Sequence, residues 1–215
     1  MEIAIVLGVI IISYLIGSIS SAIIISKIIS GKDIREEGSG NAGATNMLRV
    51  HGKLAGALTL IIDVLKGVIA VLVAIFFNWI LTKYVQGSGI WNGNLIYLAG
   101  LFVVIGHDFP VFFKFRGGKG VATSLGVILM LNWQIGLIVL VGALLVMIIS
   151  RYVSLGSIIA AILYPVLLLG YMLGKSEFNV INMVSAICMA ALLIFKHHAN
   201  ISRLRKGTEN KLFTK

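Results

Sequence analysis

GVATSLGVILMLNWQIGLIVLVGALLVMIIS, residues Gly120–Ser150, is the stretch that decides the fold, because it fixes how often the chain crosses a membrane. It carries no charged residue and is longer than the roughly 20 residues that one transmembrane helix needs. Near its middle, Asn132-Trp133-Gln134 brings together two amides and an indole, which suit a turn at a membrane surface. The stretch therefore predicts two helices, the first of them short.

The composition indicates an integral membrane protein built from helices. Hydrophobic residues make up 59% of the chain, charged residues only 12%, and the mean hydropathy is +1.03. A barrel would instead show alternation over about ten residues in each strand. We therefore predict one all-α membrane domain, residues 1–215. Further uncharged or nearly uncharged runs lie at Ile3–Ser26, Leu54–Leu81, Tyr84–His107, Tyr152–Gly174 and Phe178–Phe195.

Charge placement favours seven transmembrane helices. The chain has 18 lysines and arginines against 8 acidic residues, a formal net charge of +10. With the N-terminus outside, seven spans leave only Lys83 and Lys175 external and Lys66 within a helix, so that every other basic residue and the C-terminus are cytoplasmic. A single crossing by Gly120–Ser150 would put Arg151 and the basic tail outside, against the positive-inside tendency. The positive charge then suits anionic lipid headgroups rather than nucleic acid.

The first polar segment is SGNAGATN at Ser39–Asn46, followed by Arg49. It is too polar to lie in lipid. Its glycines let backbone N–H groups approach a ligand, and its serine, threonine and asparagines add donors, which is the chemistry of an anion site. A flexible polar loop between two membrane helices explains the segment equally well.

The second polar segment runs from His107-Asp108-Phe109-Pro110 to Lys114-Phe115-Arg116-Gly117-Gly118-Lys119-Gly120 and enters a helix near Val121. Its glycines, the N–H groups of the first helical turn and the ammonium of Lys119 favour phosphate as the ligand. It is not a Walker A loop, because Gly120 follows the lysine where Ser or Thr is required. The alternative is a glycine-rich connector that carries cytoplasmic positive charge.

The third polar segment is KHHANISRLRKGTE at Lys196–Glu209. Helical spacing places His197 beside Asn200, and Asn200 beside Arg203, on one cationic face. A basic tail resting on anionic lipid explains the positive charges equally well, but it explains neither Asn200 nor Glu209. The adjacent histidines lack a zinc-ligand spacing, so no metal site is predicted.

Two smaller polar groups lie within or beside predicted helices. Asp63 and Lys66 share one face of the second helix, where they either neutralise each other, contact substrate or orient the first polar segment. At the start of a later helix, Arg151, Ser154 and Ser157 offer a guanidinium and two hydroxyls, which interfacial anchoring and helix capping would also explain.

Motifs for a protein nucleophile are missing from the sequence. It contains no G-x-S-x-G elbow, no Cys–His arrangement and no evident carboxylate pair. If the chain is an enzyme, its substrate therefore arrives already activated.

The first two polar segments, then RYVSLGS at Arg151–Ser157 and then the third polar segment, in this order and spacing, resemble the bacterial acyl-phosphate:glycerol-3-phosphate acyltransferases, the PlsY family. The resemblance covers essentially the whole chain. It implies a seven-helix enzyme of the bacterial inner membrane, with its active site on the cytoplasmic side and without a cofactor. It also implies acyl transfer from acyl phosphate to the sn-1 hydroxyl of glycerol 3-phosphate, giving lysophosphatidic acid, the first step of membrane phospholipid synthesis.

Residue roles follow from the resemblance motif by motif. It implies catalytic roles for His197, Asn200 and Ser39, with either His197 or a substrate phosphate oxygen as the proton acceptor. The first segment is expected to bind the acyl donor and the second glycerol 3-phosphate. The residues that it implies for substrate binding are Gly40, Asn41, Gly43, Asn46, Arg49, Gly117, Gly118, Lys119, Gly120, Ser154, Ser157, Arg203 and Glu209.

Two other classes of function compete with the acyltransferase. In an organic-phosphate transporter, the anion-binding segments would serve recognition, and broken helices with internal symmetry would be expected, neither of which is visible in the sequence. A lipid-binding scaffold would leave the glycine and asparagine patterns unexplained.

Overall fold

The structure is a computed structural model that describes residues 2–85, 88–91 and 93–212. Both ends of the predicted domain, residues 1 and 213–215, therefore lie outside the described residues. Within the described part all regular structure is helical. The helices are α1 (Glu2–Gly17), α2 (Ser21–Ser30), α3 (Ala44–Tyr84), α4 (Asn94–Asp108), α5 (Val121–Leu131), α6 (Trp133–Ser150), α7 (Val153–Gly174), α8 (Val180–Lys196) and α9 (His198–Arg205).

The chain forms two compact units, Met1–Leu131 and Asn132–Lys215. Among the described residues, five helices or helix pairs are long and apolar enough to cross a membrane, and α8 with α9, bent by 57°, forms a sixth candidate. Large apolar side chains such as Ile28, Leu54 and Ile149 are exposed, at 78%, 74% and 82%. Lipid is the solvent that makes such exposure favourable, so the chain is a multi-pass membrane protein.

The long apolar stretch Gly120–Ser150 divides where its amides predict. Helix α5 ends at Leu131, Asn132 has a non-helical backbone, and α6 begins at Trp133. The predicted division into a short and a longer helix is confirmed. Helix α5 has only 11 residues, fewer than the roughly 20 that span a bilayer, so the count of seven crossings stays a prediction.

The first apolar run is not the continuous helix that Ile3–Ser26 predicts, because the helix breaks between Gly17 and Ser21. The break leaves backbone carbonyls without helical partners, which is costly in a membrane. The ammonium of Lys66, on α3, donates to the carbonyls of Gly17 and Ile19 at 3.0 and 2.9 Å. A polar side chain from another helix thus compensates the break.

Helix α3 starts earlier than the apolar run Leu54–Leu81 predicts. It begins at Ala44 and has one non-helical residue, Gly52, with φ 86°. The last three residues of the first polar segment, 44–46, are therefore helical, and Arg49 lies on this short N-terminal part of α3 rather than in a loop.

Small residues let the helices of the first unit approach closely. A Cβ at Gly17 of α1 would overlap the Val103 carbonyl of α4, and one at Gly67 of α3 would overlap the Thr123 carbonyl of α5. Close backbone approach through glycine is a common way for membrane helices to pack, since apolar burial gives little advantage in lipid. This packing brings the N-terminus of α5 and the C-terminus of α4 next to α3.

In the second unit, α6, α7 and α8 pack in sequence order. Gly156 of α7 lies against the Ala143 carbonyl of α6, where a Cβ would stand 2.7 Å from the oxygen. Helix α7 also packs against α8, and Leu168 of α7 and Ala186 of α8 are both fully buried. Helix α8 then ends in the bend at His197 that starts α9.

Candidate active site

In the first unit, the loop before α3 is shaped around the amide of Asn46. This side chain is 1% exposed. Its Oδ1 accepts from the Ser39 N–H at 2.8 Å, and its Nδ2 donates to the carbonyls of Ile34 and Glu37 at 3.2 and 3.0 Å. Whereas the sequence predicts that Asn46 binds substrate, its amide holds the loop, because both of its polar atoms are engaged there.

The backbone of the same loop differs in one respect from the anion site that the sequence predicts. The N–H groups of Gly40 and Gly43 donate to the carbonyls of Glu37 and Asn41, both at 3.0 Å. They shape the loop, so ligand donors must come from elsewhere in the segment. Ser39 and Arg49 are exposed, and Asn41 is partly exposed, so their side chains are accessible to a ligand.

The second polar segment folds back on the end of α4. The Gly117 N–H donates to the Asp108 carbonyl at 3.3 Å, and the Gly118 N–H donates to the His107 carbonyl at 3.1 Å. A Cβ at Gly117 would overlap that His107 carbonyl, and one at Gly118 would overlap the imidazole of His107. Only glycine fits at these positions.

Gly118 also brings the first and second polar segments together. A Cβ there would lie 2.7 Å from the carbonyl oxygen of Ala42, in the first segment. Gly120, with φ +73°, then turns the chain into the first turn of α5, and Lys119 lies between these glycines, partly exposed. An ammonium beside the N-terminus of an 11-residue helix is an arrangement that attracts phosphate.

Asp63 and Lys66 form a buried network beneath these segments, at 2% and 5% exposure. Their charged atoms lie 3.0 Å apart, and the Asp63 carboxylate also accepts from the Ser21 hydroxyl at 2.9 Å. His107 Nδ1 lies 3.7 Å from the same carboxylate. Of the three predicted roles, the geometry shows mutual neutralisation, and the pair also holds the helix break on one side and His107, in the second polar segment, on the other.

In the second unit, Glu209 gathers the polar side chains of the third segment. Its Oε1 accepts from Ser154 Oγ at 2.8 Å and from Asn200 Nδ2 at 2.6 Å, and its Oε2 accepts from Arg203 Nε at 2.6 Å. Burial alone would raise the pKa of Glu209, but the three hydrogen bonds and the guanidinium charge lower it below its ordinary value. The predicted proximity of Asn200 and Arg203 is confirmed, and a carboxylate holds them together.

The two adjacent histidines have different environments. His197 is 3% exposed and its Nδ1 lies 2.8 Å from the Leu193 carbonyl, whereas His198 is exposed. Because a carbonyl only accepts, this contact places a proton on Nδ1 of His197. In the neutral ring Nε2 is then the acceptor nitrogen, as a general base requires.

The remaining predicted residues of this unit lie at the start of α7. Arg151 is exposed and has a left-handed backbone, with φ 63°. Its carbonyl accepts from the Leu212 N–H at 2.7 Å, which ties the tail to this point. Ser157 is buried and donates to the Val153 carbonyl at 2.9 Å. Within the described residues, no group of three His, Cys, Asp or Glu side chains is placed to hold a metal ion.

Sequence reasoning missed Arg35 and Asp33, which lie just before the first polar segment and contact the second. Arg35 donates to the carbonyls of Phe113 and Arg116 while paired with Asp33. An acidic and a basic residue two apart in a charged stretch of the sequence give no distinctive signal. Only the tertiary contact reveals them.

Comparison with known proteins identifies the family. Residues 7–207 match the family model described as glycerol-3-phosphate acyltransferase. Proteins of that name from Coxiella burnetii (strain RSA 493 / Nine Mile phase I) and Thermoanaerobacter sp. (strain X514) are 45% and 46% identical to this chain over 203 and 202 residues. The two alignments cover 94% of this chain and 96% and 93% of the respective relatives.

Solved structures agree with this assignment. The glycerol 3-phosphate form of PlsY (YgiH), an integral membrane glycerol 3-phosphate acyltransferase, has a TM-score of 0.82 at 38% identity, covering 96% of this chain and 95% of that one. The lysophosphatidic acid form gives 0.78 at 36%, with the same coverage. With the glycine-rich segments and the Glu209 cluster in place, these similarities show that the chain belongs to the glycerol-3-phosphate acyltransferase family.

Proposed function

We propose that this protein transfers a fatty acyl group from acyl phosphate to the sn-1 hydroxyl of glycerol 3-phosphate, giving lysophosphatidic acid for membrane phospholipid synthesis. The observation that carries the proposal is the geometry of residues 117–120, which we call the glycine loop. Neighbouring atoms leave no room for a side chain at Gly117 or Gly118, and Lys119 lies beside the start of α5. This tight packing fixes Lys119 beside the positive end of the α5 dipole, an arrangement that attracts phosphate. Membership of the glycerol-3-phosphate acyltransferase family, over most of the chain, supports glycerol 3-phosphate as the acyl acceptor.

The chemistry needs no protein nucleophile. Acyl phosphate is a mixed anhydride, so its carbonyl carbon is already activated and phosphate is a good leaving group. The sn-1 oxygen forms the new ester bond to that carbon as the carbon–oxygen bond to phosphate breaks. Holding both reactants in position supplies up to roughly 7–11 kcal/mol of the barrier in favourable cases. The hydroxyl proton passes to an acceptor, either Nε2 of His197 or a substrate phosphate oxygen.

Substrate binding is divided between the polar segments in this proposal. In the first unit, Lys119, which the loop glycines position, binds the phosphate of glycerol 3-phosphate as a charge-assisted donor, and in the second unit Arg203 is proposed as a phosphate ligand. Ser39 and Arg49 bind the acyl donor, Asn200 contacts glycerol 3-phosphate, and Ser154 and Ser157 are secondary donor contacts. Asn46 and Glu209 act through the residues that they hold.

The membrane topology that we propose has seven crossings, with the N-terminus outside and the C-terminus in the cytoplasm, in one domain of the bacterial inner membrane. Positive-inside charge supports it, since only Lys83 and Lys175 fall outside. The sites then face the cytoplasm. Labelling of cysteines introduced near each terminus tests this arrangement, and two termini on one side would contradict it.

A donor-exchange assay tests the proposed reaction. Purified protein receives glycerol 3-phosphate with acyl phosphate, acyl-CoA or acyl carrier protein in separate reactions. We expect lysophosphatidate with acyl phosphate alone. Product from acyl-CoA but not from acyl phosphate would reject the proposed donor, and an absence of product from every donor would reject the reaction.

Lys119→Ala and Arg203→Ala are expected to raise the KM for glycerol 3-phosphate by about 10- to 100-fold, since each removes one charge-assisted contact to phosphate. The KM for acyl phosphate should change much less. Steady-state kinetics with each substrate varied in turn measure both values. Arg205→Ala, which removes an exposed guanidinium two residues from Arg203, is the matched control. An unchanged glycerol 3-phosphate KM in either variant would contradict that residue's role.

His197→Ala separates proton transfer from binding. If His197 accepts the proton, kcat falls by about 100-fold or more while the dissociation constant of glycerol 3-phosphate stays the same. Binding is measured by protection against thermal unfolding. A loss of affinity with unchanged kcat would assign the proton to a substrate phosphate instead. His198→Ala, on the exposed neighbour, should behave as the wild type.

A further inference from the structure

The segment Phe109–Arg116, which leads from α4 to the glycine loop, has an unusual backbone. Lys114 and Phe115 both have left-handed conformations, with φ 58° and 56°. Consecutive left-handed residues other than glycine are uncommon and cost energy, and they persist only where surrounding contacts hold them. The position of the next three residues, Gly117–Lys119, depends on this turn.

Arg35 holds both sides of the left-handed pair. Its Nη1 donates to the Phe113 carbonyl at 2.8 Å and to the Arg116 carbonyl at 2.9 Å. These two carbonyls directly flank Lys114 and Phe115. One guanidinium nitrogen therefore fixes the ends of the turn relative to each other.

Asp33 holds Arg35 in this orientation. Arg35 Nε donates to Asp33 Oδ1 at 3.0 Å and Nη2 donates to Oδ2 at 2.7 Å, which is a bidentate pair. Oδ1 also accepts from the Arg35 N–H at 3.0 Å and so caps the short turn Ile34–Glu36. Hydrogen bonds from Arg35 lower the pKa of Asp33 despite burial, so the carboxylate is charged at neutral pH.

The start of the same segment is held by α1. The Tyr14 hydroxyl donates to the Phe109 carbonyl at 2.8 Å, and Ser18 Oγ accepts from the Val111 N–H at 3.3 Å. With Arg35 at the other end, side chains distant in sequence hold the segment at both ends. The glycine loop then begins from a fixed point.

Arg35 itself is poorly suited to bind phosphate. Nε, Nη1 and Nη2 all donate to protein oxygens, and its charge is paired with a carboxylate. Its effect must therefore pass through the backbone that it contacts. Lysine could not replace it, because one ammonium cannot present the planar fork that reaches a carboxylate and two carbonyls at once.

We infer that Arg35, held by Asp33, is a positioning residue that fixes the turn Phe113–Arg116 and thereby places Gly117–Lys119 for glycerol 3-phosphate. The inference rests on the proposed function for its choice of substrate. Arg35, which precedes the first polar segment, thus has a role in placing the second polar segment, about 80 residues later in the sequence.

The test combines kinetics with limited proteolysis of the full-length protein in detergent. Arg35→Lys keeps the charge and removes the geometry, so we expect a rise in the KM for glycerol 3-phosphate of about tenfold or more, with an unchanged KM for acyl phosphate. Asp33→Asn removes the charge of the carboxylate and should give a smaller rise. Trypsin should cut after Lys114 and Arg116 faster in both variants. Lys32→Ala removes a neighbouring cation that is 68% exposed and should leave both readouts as in the wild type.

Each outcome decides the inference. Unchanged cleavage and an unchanged glycerol 3-phosphate KM in both variants would overturn it. Equal rises in the two KM values, or loss of kcat with both KM values unchanged, would overturn it in favour of a general structural role. If the wild-type protein makes no lysophosphatidate, the proposed function is rejected. Even then, faster cleavage in the variants would support the role of Arg35 in holding the turn Phe113–Arg116, and unchanged cleavage would reject that role.

Discussion

Gly118→Ala is expected to lower kcat/KM for glycerol 3-phosphate by at least about 100-fold. The added methyl group would overlap the imidazole of His107 and lie 2.7 Å from the carbonyl oxygen of Ala42. His107 lies 3.7 Å from the buried carboxylate of Asp63, and Ala42 belongs to the first polar segment, so neither can yield without moving its own surroundings. Overpacking of this kind costs about 1–3 kcal/mol, and a displacement near 1 Å in a site can cost 100-fold.

The expected loss is local, and a control can show this. Steady-state kinetics give the catalytic effect, and thermal unfolding of the purified protein gives the effect on stability. Gly8→Ala on α1 is the matched control, because a Cβ there meets no atom within 4 Å. Activity of Gly118→Ala within a factor of three of the wild type would show that the loop does not need this close approach.

Glu209→Gln should reduce kcat/KM by about 10- to 100-fold. The amide keeps the shape of the carboxylate but offers one acceptor oxygen where the structure uses two, so either Arg203 or the pair Ser154 and Asn200 faces an N–H₂ group. Breaking a fully buried ion pair costs about 3–5 kcal/mol and an exposed pair contributes about 0–1 kcal/mol. Because the Glu209 side chain is 6% exposed and that of Arg203 38%, we expect an intermediate cost of about 1.4–2.8 kcal/mol, which corresponds to the 10- to 100-fold loss. Either Asn200 or Arg203 would therefore lose the hydrogen bond that fixes its position.

The pH dependence of this cluster follows from the lowered pKa of Glu209. A carboxyl whose pKa is lower in the folded state stabilises the fold above its ordinary pKa, and this contribution disappears as the pH falls through the lowered value. The cluster is therefore intact near neutral pH, and Glu209→Gln should be defective throughout pH 6–8. Glu177→Gln, at an exposed carboxyl of the same unit, is the control. Wild-type activity of Glu209→Gln across that range would show that the cluster around Glu209 has no role in the active site.

Several features of the fold could be predicted because they depend on local composition. The length of the uncharged apolar runs predicts the membrane helices, and the amides of Asn132 and Gln134 predict the division between α5 and α6. The glycines beside Lys119 also stood out, since four small or cationic residues in a row between apolar runs have few explanations. Helical spacing likewise brought Asn200 and Arg203 to one side of α9.

Other features could not be predicted, because they depend on partners far away in sequence. The break between α1 and α2 looks like continuous apolar helix until Lys66, on another helix, supplies the donors for its carbonyls. In the sequence Asn46 has the properties of a ligand-binding residue, but in the structure its amide is hydrogen-bonded to three backbone groups of its own loop. Polar side chains form hydrogen bonds with nearby backbone groups that lack a partner. Which groups those are depends on the tertiary structure and cannot be read from the sequence.

The sequence by itself determined that this is a helical membrane protein, where its polar segments lie and which family it resembles, because apolar length and motif spacing are properties of the linear chain. Tertiary structure alone decided which polar residues remain available to a ligand and which hold others in place. Asn46 and Asn41 are both amides of the first polar segment, yet Asn46 is buried with its amide engaged by three backbone groups while Asn41 is partly exposed. Buried hydrogen-bonding groups must be paired, and the fold assigns the pairs.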